Sequence, residues 1–341
     1  MKISSFKFDL PFQYPFTISK ASKKSQPTFV VELDYFGTKG YGEAPAISYY
    51  NITVEQMMED LEEKKEIVEK FSFTDPERFW HFLHHLFPKN PFLVCALDMA
   101  GWDLHAKRKG KKITELWKLD VNKNALTDYT IGIDSIETML DKIKSKPWPI
   151  YKIKVGFEND IEILKAIRKN TDSLLRVDAN GGWTLDEALE KIPLLTEMGI
   201  ELIEQPLEKN NWDGMKILFE TSAIPLIADE SCVFEKDLEK CVTHFHGINI
   251  KLTKCSGMTP ARQMIFIARK LGLKVMMGCM NESTIGSAAI AQFLPLVDFV
   301  DMDGPLLLAK DLASGISYNC GKVEVANLPG LGISPFSEMF Q

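Results

Sequence analysis

Three carboxylates stand where short apolar runs end: Asp178 after Leu174-Leu175-Arg176-Val177, Glu204 after Leu202-Ile203, and Asp229 after Pro225-Leu226-Ile227-Ala228. The intervals, 204 − 178 = 26 and 229 − 204 = 25, are each close to one strand-plus-helix repeat. In a parallel barrel the reactive groups sit where strands end and βα loops begin, so acids on three consecutive units converge at one level of the rim. Converging carboxylates cannot all stay ionised without a strong positive partner, and oxygen-only ligation selects Mg²⁺ or Mn²⁺ over zinc. One divalent metal, Mg²⁺ first, is therefore expected on Asp178, Glu204 and Asp229. Taken singly, each acid reads more readily as a helix N-cap or a surface loop residue; equal spacing on three strand ends reverses that.

Lysines form the second constellation. Lys152-Ile153-Lys154 lies on one β-like run and Lys251 closes another, Ile248-Asn249-Ile250-Lys251. Alternation puts Lys152 and Lys154 on one face. Two ammonium groups aimed into a barrel mouth are costly without partners, and the cost suggests a use. A lysine becomes a competent base when desolvation or nearby positive charge lowers its pKa, and a second lysine beside a metal supplies that charge. Lys23-Lys24 and Lys111-Lys112 read instead as solvated surface. A third pair, Asp301 and Asp303, flanks Met302 at the end of a further run, so both carboxylates share a face and suit a cation; the turn chemistry of Asp303-Gly304-Pro305 is the plainer reading.

The elements that must hold these groups follow from periodicity. Ile3 to Leu10, Phe29 to Phe36 and Gly40 to Ala46 read as an antiparallel meander. From Thr53 to about Lys112 the period is helical, opening on the capping-box pattern Thr53-Val54-Glu55-Gln56. After about Asn124, eight β-like runs alternate with amphipathic stretches: Asp128 to Ile133, Tyr151 to Val155, Leu174 to Val177, Glu201 to Glu204, Leu226 to Ala228, Gly247 to Lys251, Lys274 to Met277 and Val297 to Met302. A helix over Thr184 to Met198 carries Leu185, Ala188, Leu189 and Ile192 as its stripe. Eight units without a Gly-rich phosphate fingerprint favour a closed barrel over an open doubly wound sheet. The fold class is thus α/β: a barrel over residues 125–312, an α+β capping domain over 1–124, and a tail over 313–341 expected to pack back on the cap.

Composition excludes several classes. Of 341 residues, 45% are hydrophobic and 26% charged, and no apolar run is long enough to cross a bilayer, so a soluble, cytoplasmic enzyme is expected. The net charge of −7 offers no basic stripe for nucleic acid. Six scattered cysteines without C-x-x-C pairs point to reduced thiols. His81, His84 and His85 have metal-compatible spacing but no completing ligands, and they read as a helix face. A homo-oligomer is compatible with the sequence.

These motifs together, Lys152-Ile153-Lys154-Val155-Gly156, Val177-Asp178-Ala179-Asn180, Glu204-Gln205-Pro206, Ala228-Asp229-Glu230-Ser231 and Asn249-Ile250-Lys251-Leu252, resemble the enolase superfamily, specifically its muconate-lactonizing-enzyme subgroup, over nearly the whole chain. The resemblance implies a modified (β/α)₇β barrel with an N-terminal α+β cap. It implies that Asp178, Glu204 and Asp229 bind one Mg²⁺, that Lys154 and Lys251 are an acid/base pair on opposite faces of the substrate carbon, and that Lys152 supports the substrate carboxylate. The shared step is removal of a proton α to a carboxylate to give an enediolate. Such a proton is roughly ten or more pKa units less acidic than a lysine ammonium, so on the order of 14 kcal/mol must be supplied. Acid/base positioning contributes about 10²–10⁴-fold, which leaves the larger share to electrostatics.

Within the subgroup, Asp301-x-Asp303 resembles the motif by which dipeptide epimerases hold the substrate ammonium. This implies 1,1-proton transfer at the C-terminal residue of a dipeptide, L-Ala-L-Xaa, with Thr130, Met280 and Asn281 among the pocket residues. Members that prefer Glu at the second position resemble one another in an Arg of the loop after the first strand; Ala21 stands there in this chain. Lys20, Lys23 and Lys24 are near enough to replace the charge, and an apolar or small second residue is favoured. Cycloisomerase, o-succinylbenzoate synthase or N-acylamino-acid racemase chemistry at the same site is the alternative reaction; a barrel that binds a carboxylate ligand without turnover is the alternative class.

Overall fold

The computed structural model describes residues 1–18 and 21–340; Lys20 lies outside the described residues, and Ala21 is described only as the first residue of a strand. β1 (Lys2–Ile18), β2 (Ala21–Tyr35) and β3 (Thr38–Pro45) form an antiparallel sheet in that order. Phe29, Val31 and Leu33 of β2 are buried against helix α3 (Pro91–Arg108), whose residues Phe92 to Leu104 are buried throughout. The approach of α3 to β3 is closer than side chains permit: a Cβ on Gly40 or Gly42 would lie 2.2 Å from Ala100 O or 1.9 Å from Ala96 O. Helix α1 (Val54–Glu69) begins as expected, with Thr53 accepting from the Gln56 amide at 3.1 Å. Its capping box is only half made, because Gln56 Nε2 donates to Asp60 instead of reaching back. Helix α2 (Pro76–Leu86) completes the cap.

The first two strands run further than their periodicity indicated. Beyond Leu10 and before Phe29 they continue as a two-stranded arm, with the register shifting between Pro11 and Phe16. Barrel loops hold this arm: Ala309 N donates to Pro11 O at 2.7 Å, Ile133 N to Thr17 O at 2.9 Å, and Gln13 Nε2 to Leu308 O at 3.0 Å. A strand fixed by backbone bonds to another domain needs no alternating pattern of its own.

Eight parallel strands follow: β4 (Tyr129–Ile131), β5 (Ile150–Lys154), β6 (Leu174–Asp178), β7 (Ile200–Glu204), β8 (Leu226–Ala228), β9 (Gly247–Ile250), β10 (Lys274–Gly278) and β11 (Phe299–Asp301). Each pairs with the next. A parallel bridge between Thr127 and Val300 joins the first to the last, reinforced by Met302 N donating to Thr127 Oγ1 at 2.9 Å. Arg176 lies inside and stitches the same seam, bonding Asp128 Oδ2 at 2.8 Å, Val300 O at 2.9 Å and Glu201 Oε2 at 2.6 Å.

The helix at Leu185–Glu197 has the full capping box, Thr184 with Glu187, but its buried stripe is Ala188, Ile192 and Leu195; Leu189 of the expected stripe is exposed. After the barrel, Ala313–Ser314 pairs with Ser334–Pro335 and Ile316–Asn319 with Lys322–Val325. Leu331 N donates to Asp103 of α3 at 2.8 Å, and Phe340 packs edge-on to Phe6 and Phe8. Among the described residues no helix is long and apolar enough to cross a membrane. Five cysteines are buried, Cys320 is exposed, and all are free. His84 stacks on Trp80 in α2, away from the barrel mouth.

Candidate active site

Strand register sets the level of the acids. Asp178 and Glu204 are direct neighbours across β6 and β7, and Glu204 faces Ile227, two residues before Asp229. All three are buried. Lys154, paired in register with Asp178, donates to its Oδ2 at 2.6 Å. Lys152, 1% exposed, is surrounded by acids: Asp301 Oδ2 and Glu204 Oε2 at 2.7 Å and Asp178 Oδ2 at 3.1 Å. Lys251 donates to Asp229 Oδ2 at 2.8 Å. β5 and β9 are four strands apart in a ring of eight, so Lys154 and Lys251 approach the mouth from opposite sides.

The charges hold one another in place. Burial alone would raise Asp178, but Lys154 and Lys152 outweigh it and bring its carboxyl down to about 2. Burial is likewise overcome at Asp229, which Lys251 and Lys254 hold far below the usual carboxylate range. Glu204 is raised, by burial first and by Asp178 next. For Lys152 and Lys251 burial works against the charge, yet the facing acids win and hold both ammonium groups well above the ordinary lysine value. The sequence expectation of lowered lysines places a metal beside them; with the acids alone as counter-ions, Lys152 and Lys251 are held protonated.

Several partners were not assigned from the sequence. Lys254, fully buried three residues after Lys251, donates to Asp229 Oδ1 and O, each at 2.6 Å, leaving Oδ2 to Lys251. Asn249 Nδ2 donates to Glu204 Oε1 at 2.8 Å. Gln205, at φ +36°, accepts from the amides of Asp229 and Ser231 and so locks the β7 and β8 loops together. An i, i+3 lysine pair directly after an apolar strand was a readable signal for Lys254. Nothing in composition marked Asn249 or Gln205, whose roles arise from cross-strand placement.

At the rim, Asp301 and Asp303 converge with the Cys279 thiol; one ligand atom from each lies within 4.8 Å of the others. Among the described residues this is the set of metal-capable groups drawn together most tightly; Asp178, Glu204 and Asp229 are spaced by Lys152, Lys154 and Lys251. Burial pushes Cys279 well above the ordinary thiol value, so it is a neutral thiol facing two acids and not a thiolate ligand. Burial and Asp301 raise Asp303 to about 7; burial works the same way on Asp301, but Lys152 and Lys154 outweigh it and lower its carboxyl. Asp303 Oδ2 accepts from Thr130 N at 2.6 Å and makes no cap bond to the turn that follows, against the plainer reading of it.

A cavity of about 330 Å³ opens over these groups. Thr130, Lys154, Lys251, Cys279, Met280, Asn281, Asp301 and Asp303 line its barrel side. Phe16, Ile18, Ile47, Tyr49 and Tyr50 close it from the cap. Lys23 also lines it, half-buried and lowered by desolvation, whereas Lys24 alternates outward and is exposed.

The donor set fits a hard divalent cation. It is all oxygen, and Glu204 Oε2 is buried without a well-directed hydrogen bond even though Lys152 is close. With this geometry in view, residues 2–117 match the mandelate racemase / muconate lactonizing enzyme N-terminal domain, and residues 135–339 match the enolase C-terminal domain-like family. The chain belongs to the enolase superfamily. It is 48% identical to the L-Ala-D/L-amino acid epimerase of Flavobacterium johnsoniae, over 98% of this chain and 99% of that one. A substrate-liganded complex of the L-Ala-D/L-Glu epimerase from Bacillus subtilis matches it with a TM-score of 0.92 at 28% identity, over 98% and 99% of the two chains. The dipeptide epimerase from Cytophaga hutchinsonii, complexed with Mg and D-Ala-L-Val, matches with a TM-score of 0.91 at 26% identity, over 99% and 97%. This superfamily member is an isomerase of the racemase and epimerase class.

Proposed function

We propose that the protein epimerises the C-terminal residue of dipeptides, with Mg²⁺ held by Asp178, Glu204 and Asp229. The observation that carries the reading is the placement of Lys154 and Lys251 on opposite sides of one cavity that also presents Asp301 and Asp303. The names of its relatives support it, since they act on or are complexed with dipeptides. A bound divalent cation supplies positive charge beside the substrate's carboxylate and takes up the charge of Asp229 that otherwise holds Lys251 protonated.

The chain's own residues then divide the work. Lys152 sits among Asp178, Glu204 and Asp301, where its ammonium pairs with the substrate carboxylate as negative charge builds. One of Lys154 and Lys251 removes the α-proton from its face, and the other returns a proton from the opposite face, inverting the centre. Asp301 and Asp303 receive the N-terminal ammonium, whose charge favours ionisation of both. The cap aromatics Tyr49, Tyr50 and Phe16 exclude water from the reacting carbon. For the second residue this wall favours an apolar or small side chain, while Lys23 offers a foothold to an acidic one.

The ammonium separates this reading from racemisation of acylated amino acids or cycloisomerisation. L-Ala-L-Xaa dipeptides with free and N-acetylated amino groups, assayed side by side with Mg²⁺, should show turnover of the free forms and little of the acetylated ones. Equal kcat/KM for the two forms would overturn the dipeptide assignment while leaving the shared proton-transfer chemistry intact.

A further inference from the structure

A second cleft, of about 580 Å³, lies beside the substrate cavity and shares Tyr50 and Glu230 with it as walls. Its cap side carries Lys89 and Phe92, and its barrel side carries Lys209, Trp212, Lys236 and Lys240 from the loops and short helices that follow β7 and β8. None of Lys89, Lys209, Lys236 and Lys240 is ion-paired among the described residues. Three of them lie over rings: Lys240 Nζ stands 4.1 Å from the centre of Trp212, Lys209 Nζ 5.2 Å from that of Tyr49 and Lys236 Nζ 5.6 Å from that of Phe234. Lys254 also lines the cleft, but Asp229 already neutralises it. Of the acids present, Asp237 is occupied by the amides of Val233 and Phe234, and Glu230 receives a bond from Asn180 Nδ2 at 3.4 Å.

Four exposed ammonium groups without an ion partner among the described residues make the cleft locally positive, in a chain whose net charge is −7. We propose that the cleft is a binding site for a small polyanion, carrying two or more carboxylate or phosphate groups, that bridges Lys89 of the cap to Lys236 and Lys240 of the barrel. None of Lys152, Lys154 and Lys251 lines the cleft, so the proposal stands apart from the dipeptide reading. A bound anion would tie cap to barrel next to Tyr50, a wall of the substrate cavity, and so act on substrate binding from outside it.

Citrate and inorganic phosphate serve as the carboxylate and phosphate probes, titrated at constant ionic strength with chloride as the control. Calorimetry and the fluorescence of Trp212, with Trp212→Phe identifying its signal, read the binding, and circular dichroism confirms folding of each variant. Saturable binding of at least one probe is expected, weakened tenfold or more in Lys236→Ala/Lys240→Ala and in Lys89→Ala. No saturable binding of either probe, or equal affinity in the double variant, would overturn the site. Unchanged affinity in Lys89→Ala alone would overturn the bridge between cap and barrel.

Discussion

At Lys23 a single ammonium group faces a cavity whose cap side is otherwise formed by apolar and aromatic residues and Ser48. Among the described residues it donates to Gln26 Oε1, at 3.3 Å. A half-buried pair with an acidic substrate side chain is worth about 1 kcal/mol, so Lys23→Ala should lower kcat/KM for L-Ala-L-Glu roughly five-fold and leave L-Ala-L-Val nearly unchanged. Competition assays on the mixed dipeptides measure this ratio, and an unchanged ratio would remove Lys23 from specificity. The residues of the proposed centre were legible because each closes an apolar run at a repeating interval, and Asp178, Glu204 and Asp229 do so on three successive strands. Cys279 was not, since a thiol among buried apolar neighbours has no pattern; only the fold brings it within 4.0 Å of Asp301 and 3.9 Å of Asp303.

Among elements, the helix Thr284–Ala291 shows how the cap reaches the site. Glu43, fully buried on β3, accepts from Thr28 Oγ1 at 2.9 Å, Ser283 N at 3.0 Å, Ser283 Oγ at 2.5 Å and Gly286 N at 2.9 Å. It thereby holds the N-terminus of a helix whose preceding loop carries Cys279, Met280 and Asn281. Glu43→Gln keeps the shape but replaces one acceptor oxygen by a donor, leaving an amide of that helix unpaired. A loss of about 2–3 kcal/mol is expected from denaturant unfolding, with KM for dipeptides raised more than kcat is lowered. Unfolding at wild-type denaturant concentration would show that the buried carboxylate contributes little. The eight barrel strands were readable because strands buried on both faces are continuous apolar runs. The arm formed by the ends of β1 and β2 was not, because its bonds go to barrel loops and its sequence is broken by Pro11, Pro15 and Pro27.

For the whole molecule the seam between cap and barrel is the sensitive feature, and Asp98 makes part of it chargeable. This residue of α3 is fully buried and accepts from Thr259 N at 2.9 Å and Thr259 Oγ1 at 2.7 Å, beside Gly257, where a Cβ would meet its carboxylate at 2.4 Å. Burial pushes its carboxyl up to about 7. The unfolded chain releases this proton near pH 4, so Asp98 contributes stability that is complete below that pH and is lost as pH rises through about 7. Between pH 4.5 and 8, wild-type Tm should therefore fall more than that of Asp98→Asn; parallel Tm profiles would refute this. The central claim, two lysines serving opposite faces of one carbon, is tested most directly by solvent deuterium exchange. In D₂O with Mg²⁺, wild type should exchange the C-terminal α-proton of both L-Ala-L-Xaa and L-Ala-D-Xaa. Lys154→Ala and Lys251→Ala should each abolish epimerisation, falling by about 10²-fold or more, while each still exchanges the proton of only one epimer, a different one for each variant. Exchange of both epimers by either variant at wild-type rate, or of neither by wild type across a dipeptide library, would contradict the account.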